Sequence, residues 1–119
     1  FFDVDDRCVE VLRQNLEKLR FADRAEVRRE SAFRSPAALA RPVDLVFVDP
    51  PYAFFDERRP EIEKLLRDWS TSPALAPGGL LLVEHRPHQP TAIPELAQVD
   101  EREYGGTVVT FYRRASVLS

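Results

Sequence analysis

Val43-Asp44-Leu45-Val46-Phe47-Val48-Asp49-Pro50-Pro51-Tyr52 decides how this chain is read. Its first six residues are almost all apolar and β-branched or aromatic, the composition of a central parallel strand covered on both faces. The next four end that strand abruptly. Two consecutive prolines fix two φ angles and remove two N–H donors, so carbonyl groups are the only main-chain polar offer there. The residue before each proline is pushed towards an extended conformation. What remains is a stiff, acceptor-rich loop with a carboxylate at one end and an aromatic ring at the other.

Outward from that stretch the pattern alternates. Residues 1–4 read as the tail of a strand that runs into Asp3, Asp5 and Asp6. Val9, Leu12, Leu16 and Leu19 then recur at helical spacing, opposite Glu10, Arg13, Gln14, Glu17 and Lys18. Asp5 or Asp6 suits the helix N-terminus, where a carboxylate meets exposed N–H groups and the positive end of the dipole. A short strand is expected at 25–29, and Ser35-Pro36 opens a brief helical stretch. Downstream, Pro60 sits where a helix could begin, with Ile62, Leu65, Leu66 and Trp69 on one side. Pro77-Gly78-Gly79 reads as a turn and 80–83 as a second buried strand. Residues 87–94 are loop-like. Residues 99–104 and 107–112, around Gly105-Gly106, read as a hairpin. The fold class is therefore α/β, mostly parallel, with an antiparallel end.

Composition narrows the function classes. The 119 residues suffice for one domain with a modest core. No apolar run approaches the ~20 residues of a membrane span, and no secretory leader is visible. One cysteine, Cys8, rules out an internal disulfide framework and fits a reducing cytoplasm; core packing is the expected role for its side chain. A net charge of −3 argues against a protein that coats nucleic acid nonspecifically. His85 and His88, even with Glu84, lack the ligand number and spacing of a metal site, so no metal is expected.

In open α/β sheets ligands bind beyond the carboxyl ends of the strands, which is where Asp49-Pro50-Pro51-Tyr52 falls. An exocyclic amine on a flat base fits such a loop. The Asp49 side chain and the Pro50 carbonyl can accept its two N–H bonds, and Tyr52 can stack on the base plane, a contact of roughly 1–3 kcal/mol. A rigid turn that merely ends a strand is the plainer reading of the same tetrapeptide.

The ten residues resemble the (D/N)-P-P-(Y/F) motif of amino-methyltransferases that act on nucleic acids or protein amides. With F-D-V-D-D-R-C-V-E-V-L-R-Q-N-L at 2–16, L-L-L-V-E-H at 80–85 and Y-G-G-T-V-V-T-F-Y at 104–112, the chain is similar to the RsmD-like family of 16S ribosomal RNA guanine-N2 methyltransferases over nearly its whole length. The resemblance implies a Rossmann-like class I methyltransferase fold dependent on S-adenosylmethionine. It implies catalytic roles for Asp49, Pro50, Pro51 and Tyr52, with Asp49 also at the cofactor. It places Asp3 on the cofactor ribose, although helix capping is open to Asp3 as well. It places Ser31, Ala32 and Phe33 at the adenine. Ser31 stands where the family carries an acid or amide, and Phe33 could equally be a core or loop residue.

Arg58 and Arg59 are candidates for RNA phosphates beside the base, or else solvated arginines at the start of a helix; Arg86, Arg113 and Arg114 are weaker ones. The implied partner is ribosomal RNA or the small ribosomal subunit, bound by a cytoplasmic, monomeric enzyme with no membrane contact. The alternatives are adenine-N6 methylation of DNA or RNA, and a non-catalytic Rossmann-like binding module.

The chain contains no methionine and opens at Phe1 inside a strand pattern, and its four glycines all lie in two Gly-Gly pairs. The resemblance implies a first strand and a glycine-rich cofactor loop upstream. Residues 1–119 are thus expected to be the C-terminal part of a methyltransferase domain, inactive in isolation, with a gap or altered pairing in the sheet.

Overall fold

A computed structural model of the chain describes residues 1–89 and 91–115. Two compact units divide it, Phe1–Ser35 and Pro36–Ser119.

In the first unit the expected strands at 1–4 and 25–29 meet as a single parallel bridge, Phe2 with Arg28. The Asp3 N–H donates to the Arg28 carbonyl at 3.1 Å and the Arg28 N–H to the Phe1 carbonyl at 2.8 Å. Helix α1 spans Asp6–Lys18. Asp5 is its cap, accepting from the N–H groups of Arg7 (2.8 Å) and Cys8 (3.2 Å). Val9 and Leu16 are buried on the expected stripe. The helix stops in a Schellman motif: the Phe21 N–H reaches the Leu16 carbonyl, the Arg20 N–H reaches that of Glu17, and Arg20 takes the left-handed φ of 59° usually left to glycine. Two short 3₁₀ turns follow, Ala22–Arg24 and Ala32–Arg34. Cys8 is exposed. Its expected core role is wrong because Cys8 opens the helix beside the solvated Asp3 and Asp5, whose carboxylates push its thiol pKa up.

The short helix α2, Ser35–Ala38, starts at Ser35-Pro36 as expected. In the second unit β1 (Val43–Val48), α3 (Phe54–Glu57), α4 (Arg59–Thr71), β2 (Leu75–His85), β3 (Leu96–Tyr104) and β4 (Thr107–Arg114) build a sheet of order β1-β2-β4-β3. β1 and β2 are parallel, with Val46 opposite Leu81 and Val48 opposite Val83; the other pairs are antiparallel. Alternation along β2 buries Leu81, Val83 and His85, and α4 buries all four of the residues picked out by its spacing, Ile62, Leu65, Leu66 and Trp69. Phe55 of α3 is fully buried with its ring 6.0 Å from that of His85. Arg114, at the end of β4, donates to the carbonyls of Ser70, Ser72 and Leu75 and so ties the end of α4 to the start of β2. With its guanidinium committed to backbone, Arg114 is a clamp and no phosphate ligand.

Two sequence expectations change. Pro77-Gly78-Gly79 is no terminal turn but an irregularity inside β2, where the register slips between Val43 and Leu45 of β1 and Gly78 adopts φ 75°. Second, β1 is an edge strand, and Leu45 and Phe47 are 54% and 71% exposed. A parallel strand is covered on both faces only when it has neighbours on both sides, and among the described residues β1 pairs with β2 alone. Among the described residues no helix is long and apolar enough to cross a membrane.

Candidate active site

Val48 and Val83 are the last aligned pair of two adjacent parallel strands, and the residues that follow them, Asp49 and Glu84, are close enough for their carboxyls to interact. Asp49 is exposed as a residue, yet its carboxyl end is partly withdrawn from water. That burial, followed by the charge and the hydrogen-bonding proximity of Glu84, raises the Asp49 pKa above its ordinary 3.8. Pro50 and Pro51 then turn the chain into α3.

Tyr52 is fixed at both ends. Its hydroxyl donates to Glu84 Oε1 at 3.1 Å and lies 2.8 Å from Thr107 Oγ1 of β4. Its carbonyl accepts from Gln89 Nε2 at 2.8 Å. The Arg86 guanidinium sits 4.1 Å from the ring centroid, a cation–π contact that occupies one face of the ring. Base stacking by Tyr52 therefore has the opposite face, or needs Arg86 to move.

Gln89 holds the rim together. Only 2% exposed, it donates to the Tyr52 carbonyl and to Asp56 Oδ2 (3.0 Å) and accepts from the Arg86 N–H (3.1 Å). His85 points to the other side of the sheet, with Nε2 2.8 Å from Thr110 Oγ1 and Nδ1 2.7 Å from the Arg86 carbonyl. Both ring nitrogens are thus engaged by protein.

The structure brings Asp49, Pro50, Pro51 and Tyr52 together with Glu84, Arg86, Gln89 and Thr107. Of these four partners, only Glu84 and Arg86 drew notice in the sequence, for other roles. Gln89 and Thr107 carry no signal there, since their importance arises from contacts 37 and 55 residues away. Arg58 bonds Glu61 through Nε at 3.0 Å and lies over the Phe54 ring at 4.9 Å; Arg59 begins α4.

Asp3, Ser31, Ala32 and Phe33 all lie in the first unit. Asp3 Oδ1 accepts from the Asp5 N–H at 2.9 Å, leaving Oδ2 to accept from a hydroxyl. Ser31 Oγ accepts from the Phe33 N–H at 3.3 Å, which holds Phe33 in a tight turn and makes Ser31 a local cap. As an acceptor Asp3 fits a ribose diol; the Ser31 oxygen accepts within its own turn.

A Rossmann-like methyltransferase fold is what this strand order, strand-end motif and closing hairpin define, and solved structures with the same fold are known. HI0767 of Haemophilus influenzae, a candidate methylase, is 25% identical with a TM-score of 0.72, over 98% of this chain and 71% of that one. The candidate methyltransferase yhhF of Escherichia coli is 27% identical with a TM-score of 0.75, over 98% of this chain and 62% of its own. TrmN of Thermus thermophilus, 19% identical, shares the fold at a TM-score of 0.78, over 96% of this chain and 35% of that one. The chain thus spans less than two thirds of the yhhF and TrmN structures. No curated protein matches it. Residues 1–113 match the family described as conserved hypothetical protein 95, and the chain belongs to that family. This is the RsmD family, as the sequence motifs implied.

Proposed function

We propose that this protein methylates the exocyclic N2 amino group of a guanine in small-subunit ribosomal RNA, with S-adenosylmethionine as methyl donor. The observation that carries the proposal is the Asp49-Pro50-Pro51-Tyr52 loop at the carboxyl end of β1, its ring tethered by Glu84 and Thr107. Membership of the family and the likeness to a candidate methylase and a candidate methyltransferase support it.

When bound, the donor would supply a methyl carbon made electrophilic by its sulfonium, whose sulfur would keep the S–C bonding pair and leave as a neutral thioether. The chain's own residues prepare the acceptor. A base amine is a poor nucleophile because its lone pair is delocalised into the ring. Ionised Asp49 and the Pro50 carbonyl accept its two N–H bonds, which raises electron density on nitrogen and fixes its direction of approach. As the N–C bond forms the nitrogen becomes acidic, and the N–H proton already shared with Asp49 leaves along that hydrogen bond. Pro51 keeps the loop stiff, and Tyr52 supports the base. Asp3 takes the ribose hydroxyls and Ala32 and Phe33 the adenine, with Ser31 shaping their turn. Arg59, and Arg58 if it gives up Glu61, contact RNA phosphates. The enzyme works in the cytoplasm, as a monomer, on RNA or the assembled small subunit.

The test incubates the product of the whole gene, and residues 1–119 alone, with labelled S-adenosylmethionine and unmodified small ribosomal subunits, then identifies the labelled nucleoside. N2-methylguanosine, lost on Asp49→Ala, is expected from the whole product, and little or none from residues 1–119. N6-methyladenosine would move the acceptor to adenine, and an unlabelled RNA would sink the ribosomal assignment.

A further inference from the structure

We infer that Glu84 is a second substrate-contacting carboxylate, which with Asp49 selects a base edge carrying two neighbouring N–H donors. The inference rests on the reading of this site as one for a base amine, and adds to it the residue that chooses the base.

The placement comes from the sheet. Parallel pairing of Val48 with Val83 puts Asp49 and Glu84 side by side, both off the face on which Val48, Val83 and His85 are buried. Glu84 is also aimed. Tyr52 donates to Oε1, and Thr107 steadies Tyr52, so the carboxylate has a fixed plane and Oε2 remains for a ligand. Two carboxylates held together repel, and a fold keeps such a pair where it has a use for it.

No cation of the fold neutralises the pair through a direct bond among the described residues. Arg86 lies on the Tyr52 ring. Arg102, which the register puts on the same face through Val109, is bonded to Asp100 at 3.2 Å. From α3, Asp56 is bonded to Gln89. Of the other β4 residues on this face, Val109 and Phe111 carry no charge, and Arg113 stands four residues along the strand from Val109, the partner of Glu84. Partial burial and the neighbouring Glu84 raise the Asp49 pKa, so the pair favours sharing a proton.

A base that brings two N–H donors can take the place of that proton. Guanine offers N1–H next to its N2 amino group, one donor for each carboxylate. Adenine offers its N6 amino group between the acceptors N1 and N7, so one of the two acids would face a lone pair. The pair therefore favours guanine, and its ionised form is the one that binds.

Glu84→Gln tests this, because the amide oxygen still accepts from Tyr52 while the charge is lost. With the whole gene product, the variant should raise KM for RNA about tenfold, the discrimination of one good base-edge pair, with a smaller change in kcat. The acid limb of the pH profile should move to lower pH, since Asp49 has lost its like-charged neighbour. Glu84→Asp should recover part of the KM. In residues 1–119, titration of carboxyl carbons by NMR should show the Asp49 midpoint fall in Glu84→Gln, and guanosine 5′-monophosphate should move the Asp49 and Glu84 signals where adenosine 5′-monophosphate does not. An N2-methylguanosine product with KM and pH profile unchanged in Glu84→Gln would overturn the role of Glu84 and leave the proposed function standing. A raised KM with an unmoved acid limb, or equal responses to the two nucleotides, would also overturn it. A product at adenine N6 would overturn both.

Discussion

Asp49 is under opposed demands. In its proposed role as an acceptor it must be ionised, whereas partial burial and the neighbouring Glu84 favour its protonated form. A carboxyl whose folded pKa is raised contributes stability below its unfolded value, and that contribution is lost as pH rises through the folded value. Asp49→Asn, neutral at every pH, should therefore melt at a higher temperature than wild type at pH 7. The difference should vanish as pH falls through the raised Asp49 pKa towards 3.8. Calorimetry or far-UV melts at a series of pH values will check this, and an advantage that persists at low pH would contradict it. At this scale the sequence was informative about Asp49 and Tyr52, because a loop without N–H donors is visible in the letters. It was silent on Gln89, whose three hydrogen bonds exist only once Tyr52, Asp56 and Arg86 have been brought around it.

Among the elements, helices were the more legible. The spacing of Ile62, Leu65, Leu66 and Trp69 is local, and each is buried in α4. The strands depended on partners. Residues 80–83 were read as a strand, but β2 begins at Leu75 and runs through the Pro77-Gly78-Gly79 irregularity. The two glycines there serve different needs. Gly78 has φ 75° with open space around the position of a Cβ; at Gly79 a Cβ would lie 2.6 Å from Leu75 Cδ1 and 2.9 Å from the Ala76 carbonyl oxygen. Gly78→Ala should cost about 1–2 kcal/mol, the strain of a left-handed residue. Gly79→Ala should cost more, since the backbone oxygen cannot move without breaking the slip in register. Urea denaturation of the two variants will rank them, and the reverse order would show that Leu75 and Ala76 yield easily.

For residues 1–119 as a whole, the notable surface is β1. An edge strand with exposed apolar side chains is a template for pairing with another chain. Phe47, 71% exposed, belongs to that edge. Phe47→Lys should suppress concentration-dependent self-association of residues 1–119 in light scattering. It should change stability by no more than about 0.5 kcal/mol, as for most surface substitutions. Unchanged association would place the sticky surface elsewhere.

The sequence by itself determined the class of fold, the position of the Asp49-Pro50-Pro51-Tyr52 loop after a strand and the family, because these reside in short-range patterns: alternation of strand and helix, two prolines after an apolar run, two glycines in a hairpin. Only the tertiary structure decided that Cys8 is exposed, that Arg114 is a clamp, and that Glu84 stands beside Asp49. The last two depend on elements far apart in the chain, and a pairing between residues 48 and 83 leaves no mark on the residues around either; the exposure of Cys8 depends on which face of α1 is covered.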